Sequence, residues 1–147
     1  MADVVDRQTR SRMMSGIRGR DTGIELRVRK GLHRLGFRYR LGGSGLPGRP
    51  DVVLPKYRAT VFVHGCFWHG HNCHLFRLPK TRAEFWRQKI EANRVRDRRS
   101  LIRLERLGWK PFVIWECSLR SATPQQVADL LERLVEDISE GRNAAWQ

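Results

Sequence analysis

Acidic residues are scarce in this chain. Its 147 residues hold 15 Asp and Glu against 29 Lys and Arg, a formal net charge of +14. That imbalance excludes a self-neutralising surface and asks for an anionic partner, most commonly a phosphate backbone. Lysine is scarce as well: 24 of the 29 basic residues are Arg. Arg forks onto phosphates and base edges and stacks on rings, which Lys does not. Cysteine is limited to Cys66, Cys73 and Cys117. An odd number excludes a fully paired disulfide framework and points to thiols or metal ligands in a reducing compartment. No stretch approaches the ~20 apolar residues of a membrane span. The start, MADVVDRQTRSR, has no apolar core of a signal peptide, so a cytoplasmic, nucleoid-associated location is expected rather than export.

What is present suits a folded domain. Hydrophobic residues make up 40% and charged residues 30%, which excludes a disordered tail. A chain of this length forms about one domain and buries roughly 68–70% of its unfolded surface. Residues 1–20 are rich in Arg, Ser and Gly with little periodicity and read as a basic arm that contacts DNA. Thr22-Gly23-Ile24-Glu25 is a capping box opening a helix to about Leu35, with Gly36 as the stop. Phe37–Leu41 is expected as a short strand, and GGSGLPGRP (42–50) as a loop. A strand starts at Asp51-Val52-Val53-Leu54, and Ala59–His64 is a mostly apolar strand suited to a sheet centre. Thr81-Arg82-Ala83-Glu84 is a second capping box, predicting a helix to about Leu107. Trp109–Trp115 is a third buried strand. Thr123-Pro124-Gln125-Gln126 starts a final helix to about Ser139. The order α-β-β-β-α-β-α predicts an α/β fold with a mixed sheet and helices against it.

Residues 64–74 read His-Gly-Cys-Phe-Trp-His-Gly-His-Asn-Cys-His, and hold four of the five histidines and two of the three cysteines. Thiolate and imidazole in a tetrahedron are zinc chemistry. Cys66, His71 and Cys73 fit one tight loop, and adjacent strands of one sheet would bring Cys117 to them. A closed site of three Cys and one His is structural rather than catalytic. Buried free thiols with surface histidines are the bland alternative. His64, His69 and His74 are then left over, each either open to acid–base work or merely a satisfied imidazole.

Asp51 follows Pro50 at the head of a buried strand, where a carboxylate is rare unless a cation sits nearby. Mg2+ with a phosphodiester is such a case. Glu25 is a candidate supporting carboxylate, although its capping-box position explains it equally. On the long predicted helix, Trp86, Ile90, Asn93, Asp97, Leu101 and Leu104 form one stripe. Asn93 and Asp97 interrupt its middle, so they are either satisfied by neighbours such as Arg or line the edge of a polar site. Phe67 and Trp68 lie inside the metal loop and, with Trp86, could stack on or wedge between bases; for Trp86 a core role is an equal alternative.

At this point the residues resemble a known family. TRSRMM, RDTGIE, LPGRPDVV, VFVHGCFWHGHNCHLF, TRAEFW and GWKPFVIWEC run in order over nearly the whole chain and look like the Vsr endonucleases of very-short-patch mismatch repair. The resemblance implies a single nuclease domain over 21–147, with a restriction-endonuclease-like mixed central sheet flanked by helices and a structural zinc site. It implies a nick in one strand of double-stranded DNA, 5′ to the thymine of a T:G mismatch left by deamination of 5-methylcytosine. Asp51 and the backbone carbonyl of Val63 would hold Mg2+, and His69 would activate the attacking water. His64, Glu25, Asn93 and Asp97 would order the waters around it. Cys66, His71, Cys73 and Cys117 would bind Zn2+. Phe67, Trp68 and Trp86 would intercalate beside the mismatch, while the arm with Met14 clasps the minor groove. A monomer suffices for single-strand nicking, and mismatch-repair proteins such as MutL are the expected partners. In broader restriction-type nucleases an acidic residue and a lysine follow the first aspartate; here Phe62-Val63-His64 stands there, which fits a histidine-based mechanism. Two other readings stay open: a zinc-stabilised DNA-binding protein without catalysis, and a ββα-metal (HNH-type) nuclease centred on HGHNCH.

Overall fold

The computed structural model describes residues 23–43 and 45–141. The expected basic arm, Met14 and the cap residue Thr22 lie outside the described residues.

The order of elements is α1 (Gly23–Arg34), β1 (Arg40–Leu41), β2 (Val52–Leu54), β3 (Ala59–His64), α2 (Ala83–Arg106), β4 (Lys110–Trp115) and α3 (Pro124–Ser139). They build a four-stranded mixed sheet in the order β1-β2-β3-β4. β1 with β2 and β2 with β3 are antiparallel; β3 with β4 is parallel. A parallel pair needs a long crossover, and α2 supplies it. Alternation along the strands sorts residues onto two faces. Val61, Phe112 and Ile114 join Val28 and Leu32 of α1 and Leu130, Leu131, Leu134 and Ile138 of α3 in the main core. Phe62 and His64 turn the other way, toward Asp97, Ser100 and Leu101 of α2. The polar site is therefore built on the α2 side.

Three local expectations are corrected. The strand expected over Phe37–Leu41 shrinks to Arg40–Leu41, because the Phe37 N–H donates back to the Leu32 carbonyl of α1 at 3.0 Å and its ring packs on Tyr57. β4 begins at Lys110 rather than Trp109, since the Trp109 N–H donates to the Leu104 carbonyl of α2. The capping box at Thr81 does not form: the cap residue is Arg82, left-handed at φ 57, with no side-chain cap.

The third box does form. The Thr123 hydroxyl accepts from the Gln126 N–H (3.1 Å), and the Gln126 side chain accepts from the Thr123 N–H (2.8 Å). Thr123→Ala should cost about 1 kcal/mol and lower Tm by roughly 2–4 °C in a thermal melt; an unchanged Tm would show the cap to be idle.

Candidate active site and metal centre

The loop leaving β3 folds tightly. The His69 N–H donates to the Gly65 carbonyl, Gly70 to Phe67 and His71 to Cys66. Gly70 takes φ +63, and a Cβ there would meet Ile90 Cγ2 of α2 at 2.7 Å, so the turn closes against that helix. β3 and β4 run parallel with His64 opposite Trp115. Two residues further along each strand, Cys66 and Cys117 fall side by side, and the Cys117 N–H points at Cys66 Sγ (3.3 Å).

The ligand atoms of Cys66, His71, Cys73 and Cys117 all lie within 4.8 Å of one another. His71 Nδ1 is 3.6 Å from Cys66 Sγ and 3.5 Å from Cys117 Sγ. A zinc tetrahedron with ordinary Zn–S and Zn–N bonds has S···N edges of about 3.6 Å. The donor set and its spacing fit a closed site. Burial pushes the Cys66 thiol up to about 12 and also raises Cys117. Both thiols are therefore protonated without a cation, and metal binding must release their protons. Burial lowers His71, favouring the neutral imidazole that ligates. Two neighbours were not legible in the sequence. Glu116 accepts the Cys66 N–H at 3.2 Å, and the Trp115 indole stacks on the His71 ring at 4.1 Å with planes 9° apart.

Beside this centre lies a second constellation. Asp51, Val63, His64, His69 and Asp97 line one cavity of about 170 Å³. Asp51 Oδ2 accepts the Val63 N–H at 2.6 Å. Burial lifts the Asp51 carboxyl to about 6; the Glu25 carboxylate adds to the rise, while the Val63 N–H, His69 and Arg29 oppose it. A desolvated carboxylate of this kind suits a cation.

His64 is 7% exposed, and its Nδ1 has no hydrogen-bond partner among the described residues. Burial, reinforced by His69, lowers it to about 3, so His64 stays neutral. Its ring stacks on His69 at 3.8 Å with planes 4° apart. His69 Nδ1 meets Asp97 Oδ2 at 2.5 Å. The ligand atoms of His64, His69 and Asp97 are as close together as those of a metal site. However, ring-nitrogen lone pairs lie in the ring plane, and two parallel rings aim theirs in parallel. The geometry is that of an oriented imidazole, not of three donors converging on one ion.

The polar break in the α2 stripe is thereby explained. Asp97 holds His69, and the Asn93 side-chain amide donates to the Trp68 carbonyl at 2.9 Å. Asn93 thus fastens the aromatic loop to α2. Phe67, Trp68 and Trp86 touch one another with centroids 5.2, 5.6 and 6.0 Å apart. Trp86 is partly exposed within this cluster rather than in the core. Phe76 and Phe85, which the sequence did not single out, extend it. Glu25, Val63, His69, Asn93 and Asp97 share an open cleft of about 950 Å³ with Phe67 and Trp68. His74 is exposed. The ββα-metal reading fails, because the strand before the cluster pairs in parallel with β4 and its histidines divide between two separate groups.

A family profile and several named proteins match this chain. The profile of the family described as DNA mismatch endonuclease Vsr matches residues 2–75. The DNA mismatch endonuclease Vsr of Escherichia coli K12 is 49% identical over 145 residues, covering 98% of this chain and 93% of that protein. The chain belongs to the Vsr family. Two further relatives carry the name of nicking enzymes. Type II nicking enzyme V.XorIIP of Xanthomonas oryzae pv. oryzae is 46% identical over 81% of this chain and 88% of its own. V.NmeAIP of Neisseria meningitidis serogroup A is 41% identical over 95% and 99%. The family profile ends at residue 75, but the match to the Escherichia coli protein covers 98% of the chain and so extends over α2 and β4 as well. No helix of the described residues is long and apolar enough to cross a membrane.

Proposed function

We propose that this mismatch endonuclease nicks one strand of duplex DNA 5′ to the thymine of a T:G mismatch by Mg2+-dependent phosphodiester hydrolysis. The observation that carries the reading is the meeting of Asp51, His69 and Asp97 around one cavity, beside an aromatic cluster on a Cys/His-clamped loop. The mixed sheet with helices on both faces supports a fold related to type II restriction endonucleases.

Asp51 and the Val63 carbonyl would hold Mg2+, which would neutralise the scissile phosphate and stabilise the departing oxygen. Asp97 accepts a hydrogen bond from the His69 Nδ1–H, which fixes the tautomer and leaves Nε2 free to accept a proton from the attacking water. Neutral His64 backs the ring by stacking, which fixes its plane without adding a competing charge. Glu25, on the cleft wall, orients water near Asp51. Asn93 positions the aromatic loop through the Trp68 carbonyl. Phe67, Trp68 and Trp86 open the base stack, which is least costly at a mispair. The basic arm over residues 1–20, Met14 included, holds the minor groove. Zn2+ on Cys66, His71, Cys73 and Cys117 would order the loop that carries Phe67, Trp68 and His69. The chain acts as a monomer, with mismatch-repair proteins such as MutL as its partners.

Two duplexes of identical sequence, one with T:G and one with paired C:G, test this. Nicking of the T:G strand alone, dependent on added Mg2+, is expected. Equal binding of both with no cut under any divalent metal would favour the reading as a DNA-binding protein without catalysis.

A further inference from the structure

The entrance to α2 has an unexplained conformation. Arg82 is held left-handed at φ 57, ψ 40, and its side chain makes no cap. An L-residue adopts that region reluctantly and persists there only where its surroundings over-determine it. The surroundings are visible. The Arg82 guanidinium lies over the Phe85 ring, 4.2 Å from its centroid. Phe85 is 44% exposed, a large apolar side chain left in solvent. Its ring abuts Trp86 at 5.3 Å, and Trp86 abuts both Phe67 and Trp68. The nearby carboxylate Glu84 is taken by Arg87 at 2.6 Å. Among the described residues no carboxylate pairs with Arg82.

Resting on the reading of a duplex-DNA substrate, we propose that Arg82, braced on Phe85, is a binding residue for a backbone phosphate at the outer edge of the aromatic cluster. The reason is geometric. Stacking uses only the face of a guanidinium; its N–H donors lie in the plane and remain open to fork onto phosphate oxygens. The ring also fixes a side chain that would otherwise lose rotamer freedom on binding. Exposed Phe85 thus serves as a brace. The phosphate it addresses belongs to the strand flanking the point where Phe67, Trp68 and Trp86 would enter the stack, so Arg82 would hold the backbone while the bases part.

Salt dependence tests it. The full-length, zinc-loaded protein is titrated with T:G and C:G duplexes without Mg2+, across a series of salt concentrations. Each phosphate contact contributes about 0.9 to the slope of log K against log salt on B-DNA. Arg82→Gly removes the side chain while suiting the left-handed backbone. It should lower the slope by about one on both duplexes, and raise KM more than it changes kcat. Phe85→Ala should weaken binding less, since the cation survives without its brace. Arg82→Gly with an unchanged slope overturns the assignment while leaving nicking intact, and so does a loss confined to the T:G duplex, which would mean base reading. A wild-type protein that neither nicks nor shows salt-dependent binding overturns this inference and the proposed function together.

Discussion

Asp51→Asn and His69→Ala should each retain DNA binding and lose nicking by at least ~10²-fold, the lower end of what acid–base assistance contributes. The two losses have different origins. Asp51 is the desolvated carboxylate of the cavity, tied by Oδ2 to the Val63 N–H at 2.6 Å. Asn can still accept that hydrogen bond, so the backbone stays in place while the charge goes. His69 is oriented by Asp97, so Asp97→Asn should lower the rate in the same direction as His69→Ala. Nicking at wild-type rate by His69→Ala would refute the base assignment.

The same substitution at Asp51 should act oppositely on stability. Its carboxyl titrates at about 6 in the fold against 3.8 ordinarily, chiefly because it is buried. A folded pKa above the unfolded one means the native state binds the proton more tightly between those values. Ionisation therefore weakens the fold progressively from about pH 4 to pH 6, and the full penalty persists above. In zinc-replete, Mg2+-free buffer the wild-type Tm should fall relative to Asp51→Asn as pH rises through that window. Protons also compete with Mg2+ for Asp51, so half-maximal nicking should need more Mg2+ below about pH 6. Parallel Tm curves for the two proteins would contradict both statements. A proposed metal ligand that destabilises its own fold would be the usual stability–activity conflict.

Stripping the metal, or replacing Cys117 by Ser, should have the largest effect on folding. Structural zinc in small metal-bound peptides contributes about 10–16 kcal/mol. A whole domain is stable by only about 5–15 kcal/mol. Cys66 is fully buried at the end of β3, and its partners come from the loop and from the turn after β4. Losing one sulfur leaves buried thiols with no cation and frees the loop that carries Phe67, Trp68 and His69. The expected readings are one zinc per chain by metal analysis, a sharp drop in Tm for Cys117→Ser, and parallel loss of binding and nicking. A folded, zinc-free Cys117→Ser that still nicks would remove zinc from the account.

Much of this was legible because it is local. Ala59–His64 announces itself by its apolar, β-branched run around Val61, Phe62 and Val63 and forms β3 with those bounds. Thr123 and Gln126 sit three residues apart and cap α3 as their types dictate. The density of Cys and His over 64–74 specifies a soft-metal donor set, and the four residues singled out do converge. Thr81 failed for an equally physical reason. A capping sequence is only a preference: here the cap position falls on Arg82, left-handed and without a side-chain cap, with its guanidinium over Phe85.

The sequence by itself determined the charge and therefore the anionic partner, the residue types able to hold zinc, and the carboxylate at the head of a buried strand. It could not sort four histidines within eleven residues, because an imidazole's role depends on what faces it. Those partners come from distant parts of the chain: Asp97 of α2 for His69, Trp115 of β4 for His71, and burial under α2 for His64. Only the parallel register of β3 and β4, with α2 laid across them, decided which ring joins the cysteines, which meets a carboxylate and which is buried and neutral. That is a matter of tertiary packing, since contacts between residues so far apart in sequence exist only once the sheet has closed.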